Sequence, residues 1–324
     1  MKSLNLKSLL FSILAIASLT LTSCDDDDDN IIDSNNSAYD LTVSNSNFTS
    51  LRAALERTGL DATLDGNGTF TVFAPTDTAF ATFLSANGFA SLDAVPTDVL
   101  RNVLLNHVLG SVNRSGDLVD GYVKTSATDA SGNNLDAYID ASAFTVNNAA
   151  IDTAQVNIEV DNGVVHVMDA VIPLPTVADL AVYNPAFGNL VTAVSQEGLV
   201  AALSATDASA TPAPPFTVFA PTNDAFQALI DADPNDGLNN INDVLALNNL
   251  SDILLYHVVS GAAVRAEAIM DGDVVDPITM GTFTINTTNG VVITDGTNTE
   301  TNVIVTNVTG INGVVHAIDF VLRP

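Results

Sequence analysis

Four histidines are the side chains best suited to chemistry, and they come as a duplicated pair: His107 with His166, then His257 with His316. The members of each pair are 59 residues apart, and each recurs 150 residues later. Near neutral pH an imidazole is a metal ligand or a proton shuttle. These rings, however, sit in apolar runs such as Leu104-Leu105-Asn106-His107-Val108 and Val164-Val165-His166-Val167. That setting predicts mostly buried rings, each holding a backbone group by a hydrogen bond. A metal site would want a third ligand at recognisable spacing. The chain has no fifth histidine and one cysteine, Cys24, so neither a metal nor a cofactor is expected.

Other catalytic patterns are weaker still. No Gly-x-Ser-x-Gly elbow, phosphate-binding P-loop or Gly-x-Gly-x-x-Gly run occurs. Carboxylates are so abundant, 38 Asp and Glu in all, that no pair of them singles out glycoside hydrolysis. Asp231-Ala232-Asp233-Pro234-Asn235-Asp236-Gly237 alternates oxygen ligands as calcium loops do. Its glycine is one place late, the twelfth position is Asn242, and the first copy has no counterpart, so a solvated loop at a helix end is expected. The chain is therefore expected not to be an enzyme. Only nine Lys and Arg oppose the 38 acids, which argues against nucleic acid or an anionic membrane surface as partner.

The elements that must position these residues are duplicated too. Thr71-Val72-Phe73-Ala74-Pro75-Thr76-Asp77-Thr78-Ala79-Phe80 recurs as Thr217-Val218-Phe219-Ala220-Pro221-Thr222-Asn223-Asp224-Ala225-Phe226. Asn162-Gly163-Val164-Val165-His166 recurs as Asn312-Gly313-Val314-Val315-His316, and Asp40-Leu41 answers Asp179-Leu180. The chain thus divides into a tether (24–37), a first repeat (38–173) and a second (176–324), with Pro173-Leu174-Pro175 as a short stiff linker. In each repeat helical spacing comes first. In the first it covers Phe48–Gly59, with the glycine as stop, and Asp98–Leu109. Thr69–Phe73 reads as a short strand before Pro75, and Thr76-Asp77 as a helix N-cap. Short β-rich runs separated by Asn and Gly turns follow from Gly121 to Val171. Helices then strands, without regular alternation, predicts an α+β fold rather than a parallel sheet.

The N-terminus carries an address. Lys2 and Lys7 precede an apolar stretch of about 14 residues, too short for a stable membrane span but suited to a signal peptide. Leu21-Thr22-Ser23-Cys24 resembles a lipoprotein signal peptidase box, which implies a signal peptide over 1–23 and a lipid on Cys24. The run Asp25-Asp26-Asp27-Asp28-Asp29 is expected to be an extended, solvated tether. It also resembles the acidic export tag that follows the lipidated cysteine in some Gram-negative lineages, which implies display on the outer surface; an aspartate directly after the cysteine resembles the inner-membrane retention signal of other lineages, and surface display is the favoured expectation.

The Thr-Val-Phe-Ala-Pro-Thr box and the Asn-Gly-Val-Val-His box, with Tyr256-His257 between them, resemble the signature segments of the fasciclin (FAS1) domain family. The resemblance spans nearly all of the chain beyond residue 38. It implies two tandem β-sandwich-like wedges, each with a cluster of helices along one edge, and a role in adhesion to cells, matrix proteins or polysaccharides. His107, His166, Tyr256, His257 and His316 would then be structural motif residues. Two departures stand out. The first repeat has Asn106-His107 in place of the tyrosine-histidine pair. Animal members carry an Asp-Ile element for integrin binding, where this chain has Asn157-Ile158 and Asn307-Val308. Integrin binding by that route does not carry over. The leading expectation is an outer-membrane lipoprotein that presents both domains to an extracellular matrix-like protein or polysaccharide and meets the membrane only through Cys24. The alternatives are a carrier of a small hydrophobic ligand held between helices and sheet and, less supported, an enzyme acting on polysaccharide.

Overall fold

The computed structural model describes residues 36–288 and 290–324. The expected signal peptide, Cys24 and the aspartate run lie outside the described residues. The first repeat opens with α1 (Ala38–Ser44), α2 (Thr49–Thr58), α3 (Asp61–Asp65), β1 (Phe70–Pro75), α4 (Asp77–Ala86) and α5 (Thr97–Leu105). Strands β2 (Val108–Leu109), β3 (Gly121–Thr128), β4 (Asn134–Asp140), β5 (Thr145–Val146), β6 (Ala149–Ala150), β7 (Ile158–Val160) and β8 (Gly163–Met168) complete it. The second runs through α6 (Val177–Tyr183), α7 (Gly188–Gln196), α8 (Val200–Leu203), β9 (Phe216–Pro221), α9 (Asn223–Ala232), α10 (Ile241–Leu245) and α11 (Leu250–Tyr256). It closes with β10 (Val258–Ser260), β11 (Asp273–Val275), β12 (Phe283–Asn286), β13 (Val292–Thr294), β14 (Glu300–Gly310) and β15 (Gly313–Ile318).

The fold is α+β, but one expectation needs correcting. The central strands are parallel: β1 lies beside β8 from Phe70 opposite Gly163 to Pro75 opposite Met168, and β9 lies beside β15 in the same register. The two strands of each pair are separated by most of a repeat, so no local alternation announces their direction. A second correction concerns the helix expected over Asp98–Leu109. It ends at Leu105, because Phe73 N–H takes the carbonyl of His107 and draws Val108-Leu109 into β2 beside β1.

Both faces of the parallel pair are covered, and the period of two along a strand divides its residues between two cores. Val72, Ala74, Val165 and Val167 face the helices and meet Phe48, Phe80 and Leu100. Phe73 and Met168 face the other way, onto Ile139 and Val146 of the second sheet and Ile172 beyond β8. The second repeat repeats this division, with Val218 and Val315 against Phe187 and Phe226, and Phe219 and Ile318 against Tyr256 and Phe283. Burying one such aromatic ring stabilises by roughly 2–3 kcal/mol before the cost of chain ordering. In the first repeat the sheets are separate, β2-β1-β8-β7 and β3-β4-β5-β6. In the second, the long β14 pairs with both β13 and β15, with register shifts on the way, and fuses seven strands into one sheet.

The Asn-Gly of each closing box has two separate duties. Asn162 Oδ1 accepts from Ala38 N–H, while its Nδ2 donates to the carbonyls of Leu64 and Gly66, so one buried side chain ties the start of α1 to the end of α3. Asn312 makes the equivalent bonds to Val177, Leu203 and Ala205. At Gly163 an added Cβ would overlap the Phe70 backbone, so only glycine lets β8 begin this close to β1. Gly163→Ala is expected to destabilise the chain by about 2–3 kcal/mol, read as a lower urea midpoint with unchanged slope.

The linker is bound on both sides. Asn106 Nδ2 donates to Pro173 O at 2.8 Å and Ile311 N–H to Pro175 O at 2.7 Å. Beside it, the repeats share a polar seam. Asp136, 3% exposed, accepts from Lys124 Nζ at 2.5 Å and from Thr309 N–H of the second repeat at 2.6 Å. Lys124 also donates to Asn307 O, and Tyr122 Oη donates to Leu180 O at 2.7 Å. A buried carboxylate left without its cation is costly. Lys124→Met should therefore uncouple the repeats: the parent is expected to melt in one calorimetric transition and the variant in two. A single transition at an unchanged Tm in the variant would refute the seam's role.

Candidate functional site

The residues picked out by chemistry all lie at the parallel pairs and at the helix ends that meet them. His107 directly follows the last turn of α5. Its Nδ1 donates to Val103 O at 2.7 Å, and its Nε2 accepts from Ile172 N–H at 2.8 Å. His257 repeats this between Ile253 O and Leu322 N–H, at 2.7 and 2.9 Å. Each ring spans from a helix C-terminus to the segment that follows the last strand. This leaves no choice of tautomer: Nδ1 carries the proton, and the Nε2 lone pair is filled by a backbone donor.

His166 and His316 take the opposite tautomer. Their Nε2 atoms donate to Asn113 O and Val264 O, both at 2.9 Å, and their Nδ1 atoms face the N–H groups of Asn157 and Asn307 at 3.3 and 3.4 Å. His166 stacks on Phe73 at 5.7 Å and His316 on Phe219 at 5.5 Å. The two histidines of a repeat share no hydrogen-bond partner. Among the described residues no three His, Cys, Asp or Glu side chains gather where they could hold a metal ion. All four rings are at most 2% exposed, so burial lowers every one of their pKa values, for His107 and His257 to about 4.

Tyr256 is fully buried, its ring edge-on to Phe283 and its Oη donating to Thr282 O at 2.7 Å. It is a core residue, with no ring face to offer a partner. Asn106, its counterpart, is equally buried but makes different bonds. Its Nδ2 holds the linker at Pro173 while Oδ1 accepts from Thr125 Oγ1. The departure from tyrosine thus serves the joint between repeats. Asn157 and Asn307 both adopt positive φ, 57° and 62°, which asparagine tolerates well. Asn157 Nδ2 donates to Ser115 Oγ, and Asn307 Nδ2 to Glu267 Oε2 at 2.8 Å. An aspartate at 307 would set two carboxylates against each other.

The Asp231–Gly237 segment ends α9, and its carboxylates bond to nearby residues. Asp233 Oδ1 accepts from Asn235 N–H, Asp236 Oδ1 from Leu238 N–H, and Asp231 Oδ1 from Gln227 Nε2. The sequence reading missed Tyr122, Lys124 and Asp136, which make the seam. The one available signal was a lysine near a same-strand tyrosine in a chain with nine basic residues.

Comparison with models of protein families agrees with the duplication. The model of the fasciclin domain matches residues 46–175 and 185–324. The pig transforming growth factor-beta-induced protein ig-h3 is 29% identical over 276 residues, 82% of this chain and 35% of that protein. Human periostin is 29% identical over 273 residues, 81% of this chain and 29% of that protein. Protein sll1483 of Synechocystis is 36% identical over 149 residues, 46% of this chain and 73% of that protein. This chain thus spans about a third of the length of the animal relatives. Among solved structures, a FAS1 domain pair from the insect cell adhesion molecule fasciclin I matches 88% of this chain and 95% of its own, at 16% identity and a TM-score of 0.48.

Histidines that are neutral when folded and protonated when unfolded have a definite signature. Between the unfolded value near 6.5 and the folded value of about 4, unfolding takes up protons, so stability falls as pH drops through that window and is fully present above it. Each of His107 and His257 is expected to contribute up to about 3 kcal/mol of this loss. Tm measured from pH 7.5 to 5 should decline in the parent, and His257→Gln should lower Tm at pH 7.5 and flatten the decline.

Proposed function

Because the chain belongs to the fasciclin domain family, we propose that it is an adhesion protein of the cell envelope. A lipid on Cys24 holds it, and its two domains face an extracellular protein or polysaccharide as one unit. The observation that carries this reading is the seam. Lys124, Asp136 and Thr309, with the bound Pro173–Pro175 linker, fix the second domain against the first. Two related faces held at a fixed spacing lose little further freedom when both engage, so weak contacts gain avidity. The side chains that could otherwise do chemistry, the four histidines and Tyr256, are spent on backbone hydrogen bonds inside the fold.

The acidic excess, a formal net charge of −29, supports a partner that is neutral or basic rather than a nucleic acid. No helix among the described residues is long and apolar enough to cross a membrane, which is compatible with anchoring through Cys24. The five aspartates after that cysteine serve as the export tag.

Protease shaving of intact cells tests the reading. The parent should be cleaved from the surface, and a variant with Asp25–Asp29 replaced by serine should be protected, while Cys24→Ser should leave the membrane fraction altogether. Protection of the parent would place the protein inside the envelope and end the case for adhesion to outside polymers.

A further inference from the structure

We propose that the second domain, and not the first, holds the end of a straight, uncharged aliphatic chain in a cavity under α6, α7 and α8. The inference does not depend on the adhesion reading. A cavity of about 50 Å³ lies between these helices and the parallel pair β9–β15. Because the chain is a duplication, the first domain serves as a built-in control. The floor is the same in both: Val218, Phe219, Leu254 and His257 line the cavity, where the first copy has Val72, Phe73, Leu104 and His107.

The roof differs. Tyr39 of α1 becomes Ala178, Leu55 of α2 becomes Val194, and Asp61 of α3 becomes Val200. In the first domain Tyr39 Oη donates to Glu56 Oε1 at 2.9 Å, and Arg52 Nε donates to the same oxygen at 2.7 Å, a polar lid across the helices. In the second domain all three members are gone: Ala178, Val191 and Ser195 stand in their places. The exposures follow. Leu55 and Leu60 are 2% and 3% exposed, whereas their counterparts Val194 and Leu199 are only half-buried. The substitutions remove volume from the roof and charge from the mouth, at one spot.

The lining identifies the occupant. It is made of aliphatic side chains, Phe219 and His257, and both ring nitrogens of His257 already have backbone partners. Nothing there rewards water or a polar head. No Lys or Arg lines the cavity to receive a carboxylate. The volume is about a third of the ~150 Å³ cavity that accepts benzene, so a ring is too large and a slim chain end of two or three carbons fits. Val182 and Val200, 48% and 38% exposed, extend the apolar surface outward at the mouth for the carbons that follow.

The test uses the full chain with Cys24→Ser, which carries no acyl group of its own, and linear primary alcohols from butanol to decanol as probes. Calorimetric affinity is expected to rise about fourfold per added methylene and then to flatten once the cavity and its mouth are full. Methyl NMR shifts are expected at Val182, Val194 and Val200. Ala178→Tyr, which restores the first domain's roof, should abolish binding. Should that variant fail to fold, the milder Val194→Leu should still weaken it. Equal affinity in parent and filled variants, or shifts as large at Leu55 and Leu60 as in the second domain, would overturn the proposal. Lack of saturable binding would overturn it too, leaving the cavity to an apolar side chain of a partner protein.

Discussion

A parallel pair of strands buried on both faces has no water to satisfy the backbone at its ends, and this constraint organises the rest of each domain. The polar residues of the two signature boxes answer it. Thr71 and Thr217 place hydroxyls on the loops after β2 and β10, accepting from Asn113 and Val264 N–H and donating to Ser111 and Ala262 O. Thr76 and Thr222 cap the helices that leave the strands. Asn162 and Asn312 close the helical layer onto the start of the second strand. The histidines, which have one donor and one acceptor on a rigid ring, bridge backbone groups that no strand partner reaches. The boxes are therefore hydrogen-bonding instructions more than contact surfaces.

The same logic explains why the four histidines serve the backbone and not one another. A ring with a fixed tautomer and a filled lone pair cannot exchange a proton or take up a metal without breaking a backbone bond in a dry environment. The duplication makes this plain, because the four rings divide into two tautomers by position, one at the helix ends and one on the final strands.

What the sequence made legible was local or repeated. The duplication, the Gly59 helix stop, the Thr76 cap and the apolar setting of the histidines can all be read from a few neighbouring residues. What it hid depends on residues far apart. The parallel direction of β1 and β8 is decided by packing across a whole repeat, and the early end of α5 by a bond from Phe73 to His107. The seam joins Lys124 and Asp136 to Thr309, more than 170 residues further on. A hydrophobic ligand between helices and sheet was among the alternatives read from the sequence, but without residues, because the cavity is a difference between copies: Ala178, Val191 and Val194 are ordinary helix residues until they are set beside Tyr39, Arg52 and Leu55.

The point at which the chain enters the first domain has a mechanical meaning. Asn36 N–H donates to Asp161 Oδ2 at 3.0 Å, and Asp161 N–H donates back to Asn36 O at 2.9 Å, directly before Asn162 and β8. Tension arriving from the N-terminal side is therefore met first at the turn that leads into the central strand, before it can peel α1 away. Six consecutive strand positions, Phe70 to Pro75 against Gly163 to Met168, lie immediately behind that turn. A domain under pull gains when force is spread over a ladder of bonds instead of unzipping a helix one turn at a time, and the wiring at Asn36 directs the pull into such a ladder.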